Sequence, residues 1–538
     1  MKPTQHRGVV VARNGVIAAS QPLAVSAGLQ MLQAGGTFAD AAIAASAVLC
    51  VTEPYASQLG GDAFLIVHDA AHHDTFAINA SGPSPSGAGP DQLPDGIPIR
   101  GFAAATVPGL VDAWFKLHER CGSLAIDRIL APAIRYAGEG FPAGFRYCRA
   151  FANNAALLRQ YPETLLTLTG SDQLPMPGAA ILQPALAATL RGIAEGGPAY
   201  FYGGPAAEAI VHASSRRGGF FSKEDFAHYA CSVEAPIEIA YRGLRLYGQP
   251  PPSQGHILLQ ELNLVEGFDL APMGHNSAEA IHVQVEAKKL AFADKDRYLA
   301  DPGRMTVGID QLLSKQYAAS RRGRIDPNHA ARDPQPGAVE HDTTYFCVAD
   351  GRGSAVSFIQ SVFFGFGCGD VVPDAGILLN NRMNGFSPDP ASVNALKGGV
   401  RPVHTLNAWL ATRTSPTGAD EVAWVGGTPG GDIQVQSNLQ VLNAVIDFGC
   451  NVQEAVEAPR WQHGPATPEP GGASLGELQV EEGVGPEAIE GLRQRGHRVR
   501  AIPDGSHGSC CQLIARDEET GAWMAGSDWR CDGHAAGF

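Results

Sequence analysis

Residues 322–364 read RGRIDPNHAARDPQPGAVEHDTTYFCVADGRGSAVSFIQSVFF, and the change of texture inside this run decides the fold. Its first half, 322–342, is polar, carries prolines and has almost no large apolar side chain, so it buries too little surface to hold itself in place and is expected to be mobile. After it, TTYFCVA is rich in β-branched and aromatic residues, DGRGS is a turn, and AVSFIQSVFF is β-rich again, which predicts a β-hairpin. Thr343 therefore stands at the first position of a strand, directly behind an expendable linker. A threonine in that place has a chemical use if the bond before it is cut. Its hydroxyl attacks an amide carbonyl, and its own α-amine, with a free pKa of roughly 7.7–8, takes the hydroxyl proton. The bland reading is an ordinary strand threonine, since Thr favours strands.

Working outward, further strands are expected at 8–19 on either side of an Asn14-Gly15 turn, at 56–69 after a glycine turn, at 376–381 (GILLNN) and at 421–428 (EVAWVGGT). Apolar spacing predicts helices at 21–36, ending at Gly35-Gly36, and at 38–51, 277–300 and 433–448, with helical patterns dominating from about 110 to 330. The Gly-, Pro- and Ser-rich stretch 79–97 reads as a surface loop. In GGTPGGDIQ, between a strand and a helix, Gly430-Gly431 allow two successive backbone N–H groups to converge on an oxyanion, because no Cβ blocks the approach. Asp432 beside them reads as a helix N-cap.

With 538 residues the chain suits two or three domains or one large α/β unit. A net charge of −15 supplies no basic footprint for nucleic acid and no polybasic membrane anchor. The N-terminus has only the short apolar run Val9 to Val11, and no stretch approaches the ~20 apolar residues of a spanning helix, so a cytoplasmic protein is expected. Ten cysteines without a C-x-x-C pair are expected to be buried small hydrophobes, with Cys510-Cys511 the one pair open to a redox or metal reading. No H-E-x-x-H, no G-x-x-x-x-G-K-[ST] and no spaced Cys/His set occurs, so no metal, nucleotide or other cofactor is indicated.

Seven motifs, LGGDAF (59–64), PPSQG (251–255), FADKDRYLADP (292–302), DTTYFCVAD (342–350), GILLNNRMNGFS (376–387), TPGGD (428–432) and EAPRW (457–461), together resemble the gamma-glutamyltranspeptidase family, in its order and over nearly the whole chain. The resemblance implies a four-layer α/β/β/α sandwich of the N-terminal-nucleophile hydrolase type. It implies autocleavage between Asp342 and Thr343 into fragments 1–342 and 343–538 that stay together as one heterodimer, with a pairing of such heterodimers left open. It maps the nucleophile onto Thr343 and the oxyanion glycines onto Gly430 and Gly431. The pocket departs from the family's γ-glutamyl-specific pattern. Asn79, in INASGPSP (78–85), stands near the position of the Arg that holds the γ-glutamyl α-carboxylate. RPVHT (401–405) puts His404 and Thr405 where a serine pair binds that carboxylate. Gly385 aligns with the acid that pairs with the α-amine, and Ser361 with an Asn of the hairpin's second strand. Without the Arg a buried carboxylate loses its bidentate partner, and without the acid a buried ammonium is unpaired. The pattern is closer to the glutaryl-cephalosporin acylase-like and oxamate amidohydrolase-like branch. There Arg382 is a candidate to hold an acyl carboxylate from the other side, against the plainer reading of a structural salt bridge. Three functions follow: an amidase acting on a small acyl amide, a true γ-glutamyl hydrolase or transpeptidase, and a non-catalytic scaffold binding an amide-like metabolite.

Overall fold

The structure is a computed structural model that describes residues 5–331, 342–464 and 476–538. Residues 332–341 of the 322–342 linker lie outside the described residues. Two seven-stranded sheets form the centre. The first runs His534–Gly537, Gly15–Ala19, Asp342–Asp350, Ala355–Phe363, Asp62–Asp69, Asp74–Ala80, Ser232–Glu234 from edge to edge. The second runs Val10–Ala12, Trp523–Ser527, Gln512–Arg516, Asp420–Gly427, Trp409–Thr414, Leu244–Gly248, Ile237–Tyr241. The hairpin expected from the linker's far side is the middle of the first sheet, with Tyr345 opposite Ile359 and Cys347 opposite Ser357.

The period-2 alternation of strands builds the layers. Phe64, Ile66, Tyr345, Cys347 and Ile359 point between the sheets and meet Leu410, Val425 and Ile514. The intervening Leu65, Val67, Phe346, Val348 and Phe358 point the other way, onto the helices Pro22–Gln33 and Phe38–Thr52. The second of these helices is buried on every side, as its alanine-rich sequence predicts. On the far face of the second sheet, Leu246, Trp409 and Leu513 pack against the helices Gly255–Val265, Ala278–Tyr298 and Ile433–Ile446. The result is the four-layer α/β/β/α sandwich.

Four details differ from the sequence reading. The strands Val10–Ala12 and Gly15–Ala19 are joined by a tight turn yet enter different sheets. Five strands interrupt the run of helices between 110 and 330: the short pair Phe141–Pro142 and Ala180–Ile181, and then Ser232–Glu234, Ile237–Tyr241 and Leu244–Gly248. The 79–97 loop begins inside the protein, with Ser81 and Ser84 buried, and comes to the surface only after them. Cys510 is bonded to Cys531, not to its neighbour Cys511, which is a free buried thiol. No helix among the described residues is long and apolar enough to cross a membrane.

Candidate active site

Two adjacent threonines open the central strand, and alternation sends them to opposite faces. Thr344 points to the helix side. Its hydroxyl donates to Glu53 Oε2 at 2.7 Å and lies 2.7 Å from Ser20 Oγ, which itself donates to the same carboxylate oxygen at 2.8 Å. Thr343 shares the face of Tyr345 and Cys347, toward the second sheet. The ladder slips between Asp342 and Thr344, a bulge of the kind that re-aims a side chain where pairing ends. Thr343 Oγ1 donates to Ser361 Oγ at 3.2 Å, and Ser361 Oγ accepts the Phe363 N–H at 2.8 Å.

The glycine loop begins against the same strand. A Cβ on Gly427 would stand 2.4 Å from the Tyr345 ring, so only glycine lets this loop pass over it. Gly430 and Gly431 follow with φ of +121° and +57°. Gln254, from PPSQG, donates through Nε2 to the Gly431 carbonyl at 3.0 Å and to the Thr405 carbonyl at 2.5 Å. Thr428 Oγ1 accepts the Cys510 N–H at 2.9 Å. The Gly431 carbonyl and the Thr428 hydroxyl are thus fastened from outside the loop. Asp432 occupies the N-cap position but makes no side-chain cap bond; its carboxylate pairs with Lys295, of the FADKDRYLADP motif.

Beyond Ser361 the row continues across the sheet. Asp62 lies opposite Ser361 in the ladder, and Arg382 Nε donates to Asp62 Oδ2 at 3.1 Å, both side chains fully buried. The Arg382 guanidinium sits 4.1 Å over the Phe363 ring, and neither Nη1 nor Nη2 has a hydrogen-bond partner among the described residues. Burial raises the Asp62 carboxyl to about 6, with Arg382 opposing the rise, and burial lowers Arg382 to about 10. The salt bridge and the open fork are both present, because the pair uses only one of the three guanidinium nitrogens. His404 packs edge-on against Phe64 with ring centroids 5.0 Å apart, and both its ring nitrogens, like Thr405 Oγ1, lack partners among the described residues. Burial, then the charges of Arg382 and Arg401, push His404 far below its usual range, so it is neutral. Asn79 faces the same side, but its Oδ1 accepts the Ser81 N–H and hydroxyl at 3.1 and 2.7 Å, which commits that oxygen to its own turn. At Gly385 a Cβ would stand 2.5 Å from the Val403 carbonyl oxygen, so the backbone leaves no room for an acid there.

Asp62, Glu53, Gln254 and Lys295 were not singled out from the sequence. Asp62 lies in LGGDAF, Gln254 in PPSQG and Lys295 in FADKDRYLADP, while Glu53 stands outside the quoted motifs; Asp62 also carried a usable signal, an acid at the start of an otherwise apolar strand. Folding also brings together His282, Glu286 and His497, whose ligand atoms lie within 4.8 Å of one another. His282 Nε2 donates to the Asp326 carbonyl at 2.7 Å, so its Nδ1 accepts from His497 Nε2 at 2.8 Å. Lys289 holds Glu286 at 2.9 Å and the Ala331 carbonyl at 2.8 Å. With an ammonium already on the carboxylate, the cluster acts as a clasp on residues 326–331.

Comparison with known proteins bears on the family and the fold. Residues 24–538 match the Gamma-glutamyltranspeptidase family. The Glutathione hydrolase-like YwrD proenzyme of Bacillus subtilis (strain 168) is 35% identical, over 98% of this chain and 99% of its own length. The Oxamate amidohydrolase proenzyme of Klebsiella pneumoniae subsp. pneumoniae is 33% identical, over 98% of this chain and 99% of its own. The crystal structure of cephalosporin acylase from Bacillus halodurans is 36% identical and superposes with a TM-score of 0.92, covering 99% of this chain and 98% of that one.

Proposed function

Because the chain belongs to the gamma-glutamyltranspeptidase family, whose members here are hydrolases of C–N bonds made as proenzymes, we propose that Thr343 is its nucleophile and that it hydrolyses the amide of a small acyl group ending in an anion. In the precursor, Thr343 Oγ1 attacks the carbonyl carbon of residue 342. The peptide becomes an ester, water hydrolyses it, and residue 342 keeps a carboxyl while Thr343 gains a free α-amine. In the mature enzyme that amine takes the Thr343 hydroxyl proton as the oxygen attacks the substrate carbonyl. Two N–H groups of the Gly430-Gly431 turn hold the oxyanion. Collapse expels the amine half, which takes the proton, and water then hydrolyses the acyl ester. Fragments 1–342 and 343–538 stay together, because the strands Gly15–Ala19 and Asp62–Asp69 of the first flank the hairpin of the second on both sides.

The observation that carries this reading is the division of labour between the two threonines. The Thr344 hydroxyl is tied into the Ser20–Glu53 cluster, while Thr343 heads a buried row through Ser361 and Asp62 to the open fork of Arg382. An Arg382 with two unused N–H edges, beside a neutral His404 and Thr405, matches a carboxylate or a similar planar anion. A substrate ammonium finds no such partner, since Asp62 is held by Arg382 and Gly385 has no side chain. Glutaryl and oxamic amides are therefore expected to be better substrates than γ-glutamyl amides. Hydrolysis of matched glutaryl and γ-glutamyl anilides tests this: a γ-glutamyl preference would sink the pocket assignment and favour the glutathione hydrolase reading that the names of some relatives carry.

A further inference from the structure

The clasp on residues 326–331 is also a convergence of side chains that ligate metals. His282 and Glu286 stand one turn apart on the helix Ala278–Tyr298 and so share a face, and His497, just ahead of the strand Arg498–Ile502, comes in against them. The three are 0%, 2% and 7% exposed, and one ligand atom from each lies within 4.8 Å of the others. His282 and His497 are 215 residues apart, so no spacing in the sequence announces the set. The first two precede the 342–343 bond and the third follows it, so the set spans both parts of the chain.

The rings are oriented as a metal requires. His282 Nε2–H donates to the Asp326 carbonyl at 2.7 Å, which fixes the proton on that nitrogen and turns the Nδ1 lone pair into the cluster. A backbone carbonyl on the far nitrogen is the usual companion of a metal-ligating histidine. Burial lowers both imidazoles, His497 to about 3, so each neutral ring has a lone pair to give. Among the described residues, Glu286 Oε1 accepts from Lys289 at 2.9 Å and Oε2 from the Ala331 N–H at 3.2 Å, two of the about four bonds a carboxylate accepts. Lys289 also holds the Ala331 carbonyl at 2.8 Å, so it keeps a partner when the carboxylate turns toward an ion.

We infer that His282 Nδ1, His497 Nε2 and a Glu286 carboxylate oxygen bind one transition-metal dication of the Zn²⁺ class, which takes two imidazoles and a carboxylate. Tetrahedral bonds of about 2.0–2.2 Å set ligand atoms about 3.4 Å apart. The two imidazole nitrogens, at 2.8 Å, open slightly and the carboxylate closes in, both within the reach of side-chain rotation. The proton that His497 Nε2 shares with His282 passes to His497 Nδ1, so the ring stays neutral, and water takes the fourth position. The charges of Lys289 and Arg495 oppose a dication beside His497, which sets the affinity at the micromolar and not the nanomolar level. The ion ties the helix Ala278–Tyr298 and, through Asp326, the 326–331 segment to the part of the chain after residue 342. None of this depends on which residue is the nucleophile.

Calorimetric titration of ZnCl₂ into chelator-treated full-length protein tests this, with MgCl₂ for comparison. Wild type should bind one Zn²⁺ per chain with a micromolar Kd and leave Mg²⁺, which prefers oxygen ligands, unbound. His497→Gln and Glu286→Gln should each weaken Zn²⁺ binding at least tenfold, whereas a His72→Gln, His73→Gln double variant, altered in an exposed turn, should bind as wild type does. Wild-type crystals soaked in ZnCl₂ place the ion by its anomalous scattering, which decides the matter even where a variant fails to fold. An anomalous peak among His282, Glu286 and His497 supports the site. No saturable Zn²⁺ binding in wild type, equal affinity for Mg²⁺, unchanged affinity in both site variants, affinity lost in the double variant instead, or an ion only at other residues would overturn it.

Discussion

Thr343 and Thr344 are chemically the same residue, and only the side of the strand separates them. The sequence places both at the start of the strand. What distinguishes them is long-range: Glu53 and Ser20, close to 300 residues or more earlier, claim the Thr344 hydroxyl. Arg382 was legible as a candidate from its place after GILLNN, but its partner Asp62 was not, because the two lie 320 residues apart in sequence. Arg382→Met is expected to raise KM for a glutaryl amide about 100-fold, the scale of a charged hydrogen bond of about 3 kcal/mol, while the KM of a butyryl amide moves far less. Asp62 adds a pH dependence. Below about 6 its carboxyl is protonated and the Arg382 charge is free for an incoming anion; above about 6 the carboxylate shares that charge. His404 stays neutral across this window, so it does not reverse the sign. KM for the glutaryl amide should therefore rise as pH rises through about 6, and Asp62→Asn should flatten the profile.

At the scale of elements, the hairpin and the helices nearest the sheets were readable because their patterns are long and strongly periodic. The strands at 232–248 were not, being only three to five residues long amid helical sequence and specified by their neighbours in the sheets. The glycine loop was readable as a strand-to-helix turn, but not the fastening of its Gly431 carbonyl by Gln254. Gly430→Ala would place a Cβ 2.5 Å from the Ile433 side chain at φ +121°. Displacing an oxyanion donor this way is expected to lower kcat by about 10²–10³ with little change in KM, measured on mature enzyme. The Ser20–Glu53–Thr344 cluster joins the end of the helix Phe38–Thr52 to two strands. Glu53→Ala strips three buried hydroxyls, those of Ser20, Thr344 and Tyr55, of their acceptor, at about 1–3 kcal/mol each, and denaturant unfolding of the uncleaved Thr343→Ala background should register that loss.

At the scale of the molecule, the sandwich explains how a cut chain stays one protein. The proposed cleavage at 342–343 would fall at the end of a strand that is central in its sheet, and each of the two pieces would contribute strands to both sheets. Mature fragments should co-elute on native size exclusion and separate only under denaturant. The layered architecture followed from the family motifs; the interleaving of the two pieces did not, since the pairing of Gly15–Ala19 with the 342–350 strand leaves no local trace in sequence. All of this hinges on Thr343 becoming an N-terminus. Mass analysis with N-terminal sequencing of purified wild-type and Thr343→Ala protein tests it most directly. Wild type should yield a small fragment beginning Thr343-Thr344-Tyr345 and a large one ending at Asp342, and the variant should remain one chain. A wild-type protein that stays whole, or is cut elsewhere, would contradict the account.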